Sequence, residues 1–145
     1  MPNIMAEEIL NGSYGEVYID GEFFGNFTEI EVKKKKNYQS VNLPGTRQTK
    51  HKLTSYEVTG TIRGFRVNDV LVYASLVSDK DPDPVFTIEA YIKDPENGEE
   101  IKYRFYNVKF TSEDIFSFKV NELVPEEWEF VVDGAIERIE EERIE

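Results

Sequence analysis

The sequence predicts one mainly β domain. It reads as an antiparallel β-sandwich or barrel of about seven strands, with one α-helix around residues 68–79 and a long loop around 37–52. Three observations carry this reading. Several segments alternate apolar and polar residues with the period of two that a half-buried strand requires. Turn sequences suited to hairpins, Asp20-Gly21 and Asp94-Pro95-Glu96-Asn97-Gly98, lie between them. Only one stretch, from Val70 to Val77, repeats at helical spacing. Hairpin connections make neighbouring strands antiparallel, and such sheets pack as sandwiches or barrels.

Taken in order, residues 14–20 are rich in Tyr, Val and Ile and form the first strand. Asp20-Gly21 tolerates positive φ at both turn positions, so the chain turns tightly there. The return strand covers 23–35, with Phe27, Ile30 and Val32 among Glu29, Glu31 and Lys33, so one face is wet. Residues 37–52 keep no period and hold Pro44-Gly45 among Asn, Gln, Ser and Thr. A patternless connection of this length in a small domain is either functional or disordered. Extended, it reaches up to about 50 Å, and folded back as a hairpin about half that.

The strand over 53–65 sets Tyr56, Val58, Gly60 and Ile62 on one face and Glu57, Thr59, Thr61 and Arg63 on the other. Gly60 and Gly64 mark bends, or another backbone passing close. Asn68 caps the helix and Asp69 suits its positive end. The helix stops before Asp81-Pro82-Asp83-Pro84. Residues 85–93 alternate cleanly. On the return strand the apolar face moves from Ile101, Tyr103 and Phe105 to Tyr106, Val108 and Phe110, which predicts a bulge near Phe105. Phe116, Phe118 and Val120 mark another strand, and Trp128, Phe130 and Val132 the last clear one. Residues 135–145 either prolong that strand or form a short acidic helix.

The 145 residues suit one domain with a core that needs no metal or disulfide staple. There is no cysteine, hence no thiol nucleophile and no thiolate metal site. No apolar run is long enough to span a membrane, and residues 1–10 lack the basic start of a secretory signal. The two Asn-X-Ser/Thr matches, at Asn11 and Asn26, are read as chance. Net charge is −12, which repels nucleic acid over most of the surface. The charge is unevenly spread. From Lys33 to Lys52 there are seven Lys or Arg (Lys33, Lys34, Lys35, Lys36, Arg47, Lys50, Lys52) and no acid; from Glu126 to Glu145 there are nine acids against Arg138 and Arg143. These are either two solvated stretches that differ in sign or complementary surfaces that meet when copies associate.

Catalytic signals are absent. His51 sits between Lys50 and Lys52 with no base or orienting partner in the sequence. Asp79-Lys80-Asp81-Pro82-Asp83 opens like a calcium loop, but Pro84 stands where the turn glycine is needed and Ala90 where the bidentate Glu belongs. It reads as a helix stop. No phosphate loop, nucleophile elbow or zinc spacing occurs. Four lysines at 33–36 point to alternate faces of a strand, which suits a solvated edge better than a nucleic-acid stripe.

The segment Gly15-Glu16-Val17-Tyr18-Ile19-Asp20-Gly21-Glu22 resembles the first hairpin of tail-tube proteins of contractile phages, most closely the branch from PBSX-type defective prophages. Thr54-Ser55-Tyr56-Glu57-Val58-Thr59-Gly60-Thr61-Ile62 is similar to that family's strand after the long loop, and Arg66-Val67-Asn68-Asp69 to its approach to the helix. Phe86-Thr87-Ile88, Asp94-Pro95 and Val108-Lys109-Phe110-Thr111 follow in the family's order. The acidic end, 137–145, departs from the pattern.

The resemblance implies a non-enzymatic virion tail protein without cofactor or metal. Six copies form a ring, and rings stack into a hollow tube that conducts DNA or ions without binding DNA specifically. Sheath, baseplate and tape-measure proteins are the implied partners. Residues 1–145 are then one tube domain, with 37–52 an inter-subunit loop and 135–145 an acidic extension. The candidate contact residues are Lys33, Lys34, Lys35, Lys36, Tyr38, Arg47, Lys50, His51 and Lys52 on the basic side and Glu137, Glu140 and Glu141 on the acidic side. The alternative is a monomeric carbohydrate-binding sandwich, with Tyr38, Tyr91 and Trp128 stacking on sugar rings.

Overall fold

The computed structural model describes residues 5–8, 12, 15–75, 83–93, 95–96, 98 and 100–139. Its strands are β1 (Gly15–Ile19), β2 (Glu22–Phe23), β3 (Phe27–Val41), β4 (Lys50–Phe65), β5 (Phe86–Lys93), β6 (Glu100–Glu113), β7 (Pro125–Val132) and β8 (Ile136–Arg138), with helix α1 (Val70–Ser75) between β4 and β5. All pair antiparallel in one sheet of order β2-β1-β5-β6-β7-β4-β3, and β8 lies beside β6. The mainly β, antiparallel class with one short helix is as expected. The sheet curls without closing: among the described residues no ladder joins β1 or β2 to β3. Val17 of β1 and Phe27 and Ile30 of β3 line one cavity of about 360 Å³ along the open seam.

The expected strand over 23–35 is two strands. Asp20 (φ 52°) and Gly21 (φ 84°) make the tight turn that their chemistry predicts. After β2 the chain turns again: the Phe24 amide donates to the Val17 carbonyl (3.0 Å), and β3 begins at Phe27. The expected bulge is present. Thr87 faces both Tyr106 and Asn107, because Phe86 pairs with Val108 but Ile88 with Phe105, and Asn107 takes a positive φ of 53°. On the other side of β6 the same kink separates β7 from β8, where Asp133 and Gly134 donate to the Asn107 and Tyr106 carbonyls (3.1 and 3.0 Å). The chain after Val132 therefore prolongs the last strand as β8, which settles the choice for residues 136–138.

Two expectations need correction. The loop expected over 37–52 is half strand: β3 and β4 stay paired out to Val41 and Lys50, leaving residues 42–49 as the loop at the tip. Polar residues on both faces hide the period of a strand whose faces are both in solvent. The strand expected at 116–120 is absent, and Phe116, Phe118 and Val120 lie in an exposed connection between β6 and β7. A backbone that leaves the ladder at Glu113 has no partner strand there. The helix cap is as predicted, with the Val70 amide donating to Asn68 Oδ1 at 3.1 Å. Residues 76–82, including the predicted end of the helix and most of the calcium-like segment, lie outside the described residues. Asp83 forms an ion pair with Lys109 (3.1 Å).

Every strand from β1 to β7 except β2 contributes to the core. Trp128 and Ile62 are fully buried, with Val17, Ile88, Val108 and Phe130 beside them and Leu71 and Val72 of α1 covering one side. Phe110 packs edge-on against Trp128, with ring centres 4.8 Å apart. Gly64 admits no side chain: a Cβ there would strike the Asn26 carbonyl and come within 2.7 Å of Phe27 Cα. The close backbone approach inferred from the sequence is therefore the start of β3. Gly64→Ala is expected to lower stability by about 1–3 kcal/mol through overpacking, read as a shift in the urea midpoint at unchanged m-value.

Candidate assembly surfaces

β4 pairs with β3 from Lys50 to Gly64 but with β7 only from Thr59 to Phe65. Beyond Thr59 the β3–β4 hairpin leaves the sheet as a two-stranded arm. From Lys33 to Val41 it measures about 27 Å at ~3.4 Å per residue. Its register sorts its side chains into two faces. Ile30 and Ile62, then Val32 and Gly60, lie on the core face; the same face continues outward through Lys34 and Val58, Lys36 and Tyr56, Tyr38 and Leu53, and Ser40 and His51. A register shift between Asn37 and Tyr38 absorbs Thr54. The arm therefore extends the core face into solvent, where Tyr56 is 61% and Tyr38 55% exposed.

The basic candidates all belong to this arm or its base. Lys33 lies on the opposite face and is taken up locally: its ammonium is 2.6 Å from Glu31, which raises the Lys33 pKa and lowers that of Glu31. Lys34 sits over the Tyr56 ring, 4.2 Å from its centre, a cation–π contact that stiffens the arm's base. Lys35 faces Glu57 across the pair, and Lys52 faces Gln39. Lys50 bonds Gln48 (3.3 Å) near the tip that carries Arg47. Excluding Lys33, the arm holds Lys34, Lys35, Lys36, Arg47, Lys50 and Lys52 against the single acid Glu57. His51 is exposed on β4 opposite Ser40.

The acidic candidates lie elsewhere. Glu137 is on β8, where its carboxylate accepts the Tyr106 hydroxyl (2.8 Å). Glu140 and Glu141 lie outside the described residues. A groove between the arm's base and the β7–β8 bend is lined by Lys34, Tyr56 and Val131 through Ile136, so β8 begins on the arm's own side of the sheet.

The three aromatics of the sugar-binding alternative do not form a platform. Trp128 is 0% exposed, and its indole N–H donates to Glu126 (2.8 Å). Tyr91 is half-buried and donates its hydroxyl to Glu16, which also accepts the Tyr18 hydroxyl (2.9 Å). These bonds push the Tyr91 phenol up and the Glu16 carboxyl down. Tyr38 stands on the arm. Among the described residues no cluster of three or more His, Cys, Asp or Glu is placed to hold a metal, and no helix is long and apolar enough to cross a membrane.

The sequence reading missed a second exposed surface. Ile115, Phe116, Phe118, Val120 and Leu123 project from the β6–β7 connection, with Phe116 81% exposed. Their alternation was the available signal, and it was read as a strand.

A family model described as phage tail tube protein matches residues 3–137. The phage-like element PBSX protein XkdM of Bacillus subtilis (strain 168) is 32% identical over 127 residues, which cover 86% of this chain and 86% of that protein. Two solved structures share the fold. The sheath-tube complex of an extracellular contractile injection system in its extended state, PVC, has a chain with TM-score 0.68 at 12% identity, covering 92% of this chain and 95% of that one. The tail of an empty gene transfer agent particle, refined with C6 symmetry, has one with TM-score 0.58 at 13% identity, covering 91% and 100%. From β1 through β8 the sequence matches a single family, and this chain belongs to the phage tail tube proteins.

Proposed function

We propose that this chain is a structural tube subunit and not an enzyme, and that six copies form a ring whose stacked repeats make the hollow conduit of a contractile tail or phage-like particle. Sheath, baseplate and tape-measure proteins are its partners in the virion tail, and DNA or ions pass through the lumen without specific binding. The observation that carries this reading is the arm: about 27 Å of paired backbone at ~3.4 Å per residue with no core of its own, exposing Tyr38, Leu53 and Tyr56 beside Lys34 and Lys36. Such a hairpin is marginal alone and gains stability by packing on another surface. A second support is the open sheet. Among the described residues β3 and β2 end it with unpaired edges, which are templates for neighbouring chains, and a ring of copies removes them. The C6 symmetry of one tail and the sheath in the other complex, both with chains of this fold, support the ring number and the sheath partner proposed here.

Net charge of −12 adds a role for the conduit wall. Acid facing the lumen repels phosphate and keeps DNA sliding. A density map of the tube with a basic lumen would overturn that part.

The purified protein, concentrated and incubated over days, is expected to show rings or hollow unbranched tubes of uniform width by negative-stain electron microscopy. Monodisperse single domains that persist with baseplate components added would count against the tube reading. Replacing residues 38–54 with a two-residue Asn-Gly turn is expected to keep the far-ultraviolet circular dichroism of the sheet while abolishing tubes. Normal tubes from that variant would remove the arm's role.

A further inference from the structure

The arm tip and the exposed β6–β7 connection lie at opposite ends of one strand direction. β4 runs from Lys50, beside the tip, to Phe65, which pairs with Pro125 where β7 begins. Its sixteen residues separate the two ends by about 50 Å at ~3.4 Å per residue. At the far end, residues 114–124 expose Ile115, Phe116, Phe118, Val120 and Leu123, and the nearby chain around α1 exposes Val67, Val70 and Tyr73. Monomeric soluble proteins rarely leave an apolar patch beyond a few hundred Å² uncovered.

This surface is held in place. Arg66 donates through Nη1 to the Ile115 carbonyl (2.9 Å) and through Nη2 to that of Asp114, and its amide donates to the Val124 carbonyl (2.9 Å). The Glu127 amide donates to Asp114 Oδ2 (3.3 Å). Both ends of the connection are therefore pinned to β4 and β7, while the apolar side chains between them point into solvent. The exposed charges around it are Asp69, Asp114 and Glu122 against Lys119, with Glu127 paired to Arg63 (3.4 Å) and Arg66 engaged by the connection's own carbonyls.

We infer that this apolar, acid-rimmed end is the seat for the arm of a second copy. The inference rests on the tube reading and names the partner surface of the arm. The chemistry matches on both counts. The arm presents Tyr38, Leu53 and Tyr56 with Lys34, Lys36 and the basic tip; the seat presents five apolar side chains rimmed by carboxylates. The geometry also matches. A donor at one end and its acceptor at the other form a heterologous contact, which repeats along an axis instead of closing in a pair. Glu137 on β8 serves this contact poorly, because β8 begins beside the base of its own chain's arm.

The chain has no cysteine, so single thiols can be placed at will. Copies carrying Leu53→Cys are mixed with copies carrying Phe118→Cys, co-assembled, and treated with a short bis-maleimide. The expected product is a band at twice the 16.9 kDa monomer mass, lost when Glu129→Cys on the outer face of β7 replaces Phe118→Cys. In parallel, Phe116→Ser with Phe118→Ser, both at exposed side chains, is expected to keep the wild-type circular dichroism and to lose stacked tubes. Tubes that form without the link, or that grow normally from the double serine variant, would overturn this seat and leave the tube reading intact. Absence of rings, tubes and linked pairs in every sample, wild type included, would overturn both.

Discussion

The structure depends on an inequality in the pairing of β4. Fourteen of its sixteen residues pair with β3, all but Thr54 and Phe65, but β7 pairs with only the seven from Thr59 to Phe65. Where both neighbours are present, β4 lies mid-sheet and its inward residue Ile62 is fully buried. Val58, one residue beyond β7, is still buried, but from Glu57 outward every residue of β4 is exposed and the hairpin becomes an arm. β7 cannot follow, because the kink at Tyr106 and Asn107 turns the chain after Val132 along β6 as β8. One bulge in the middle of the sheet thus sets how much of β4 is domain and how much is free to meet another molecule.

The opposite end of β4 is tied down by a buried charge. Glu126 is 3% exposed, a costly place for a carboxylate without donors. It has them: Trp128 Nε1 on one oxygen, Asn26 Nδ2 on the other (3.1 Å), and the Arg66 guanidinium 3.9 Å away. These groups come from β7, from the turn before β3 and from the chain after β4. The carboxylate therefore holds together three segments that meet at the end of the sheet. Gly64, which lets the start of β3 pass against β4, belongs to the same junction. With that end locked, Arg66 can hold the β6–β7 connection in a fixed outward shape, so its exposed phenylalanines are displayed by a rigid base.

The elements legible in the sequence were those with a dry face and a wet one. β1, β5 and the core part of β4 alternate because one side packs on Trp128 and Phe130 and the other meets water. Asp20-Gly21 announced its turn through backbone chemistry alone, as did the Asn68 cap. The bulge was legible because it moves the inward face by one residue, from Phe105 to Val108. The arm was not legible as paired strand, since Asn37, Gln39, Ser40 and Lys52 show no periodicity when both faces are solvated. The segment from Phe116 to Val120 misled for the opposite reason: it alternates like a strand, yet its apolar residues face solvent. An alternating pattern records an apolar face, not what that face packs against.

The amino-acid sequence by itself determined the class, the turn positions and the separation of charge, because these follow from local backbone chemistry and from composition. It also carried the resemblance to tail-tube proteins, since the order and spacing of short motifs survive where single motifs are generic. Only the tertiary structure decided which residues of the basic segment share a face, that β8 lies on the arm's side of the sheet, and that an acid-rimmed apolar surface lies at the far end. Those facts depend on strand register and on the pairing partner of each strand, and a change of one residue in register moves every side chain to the other face.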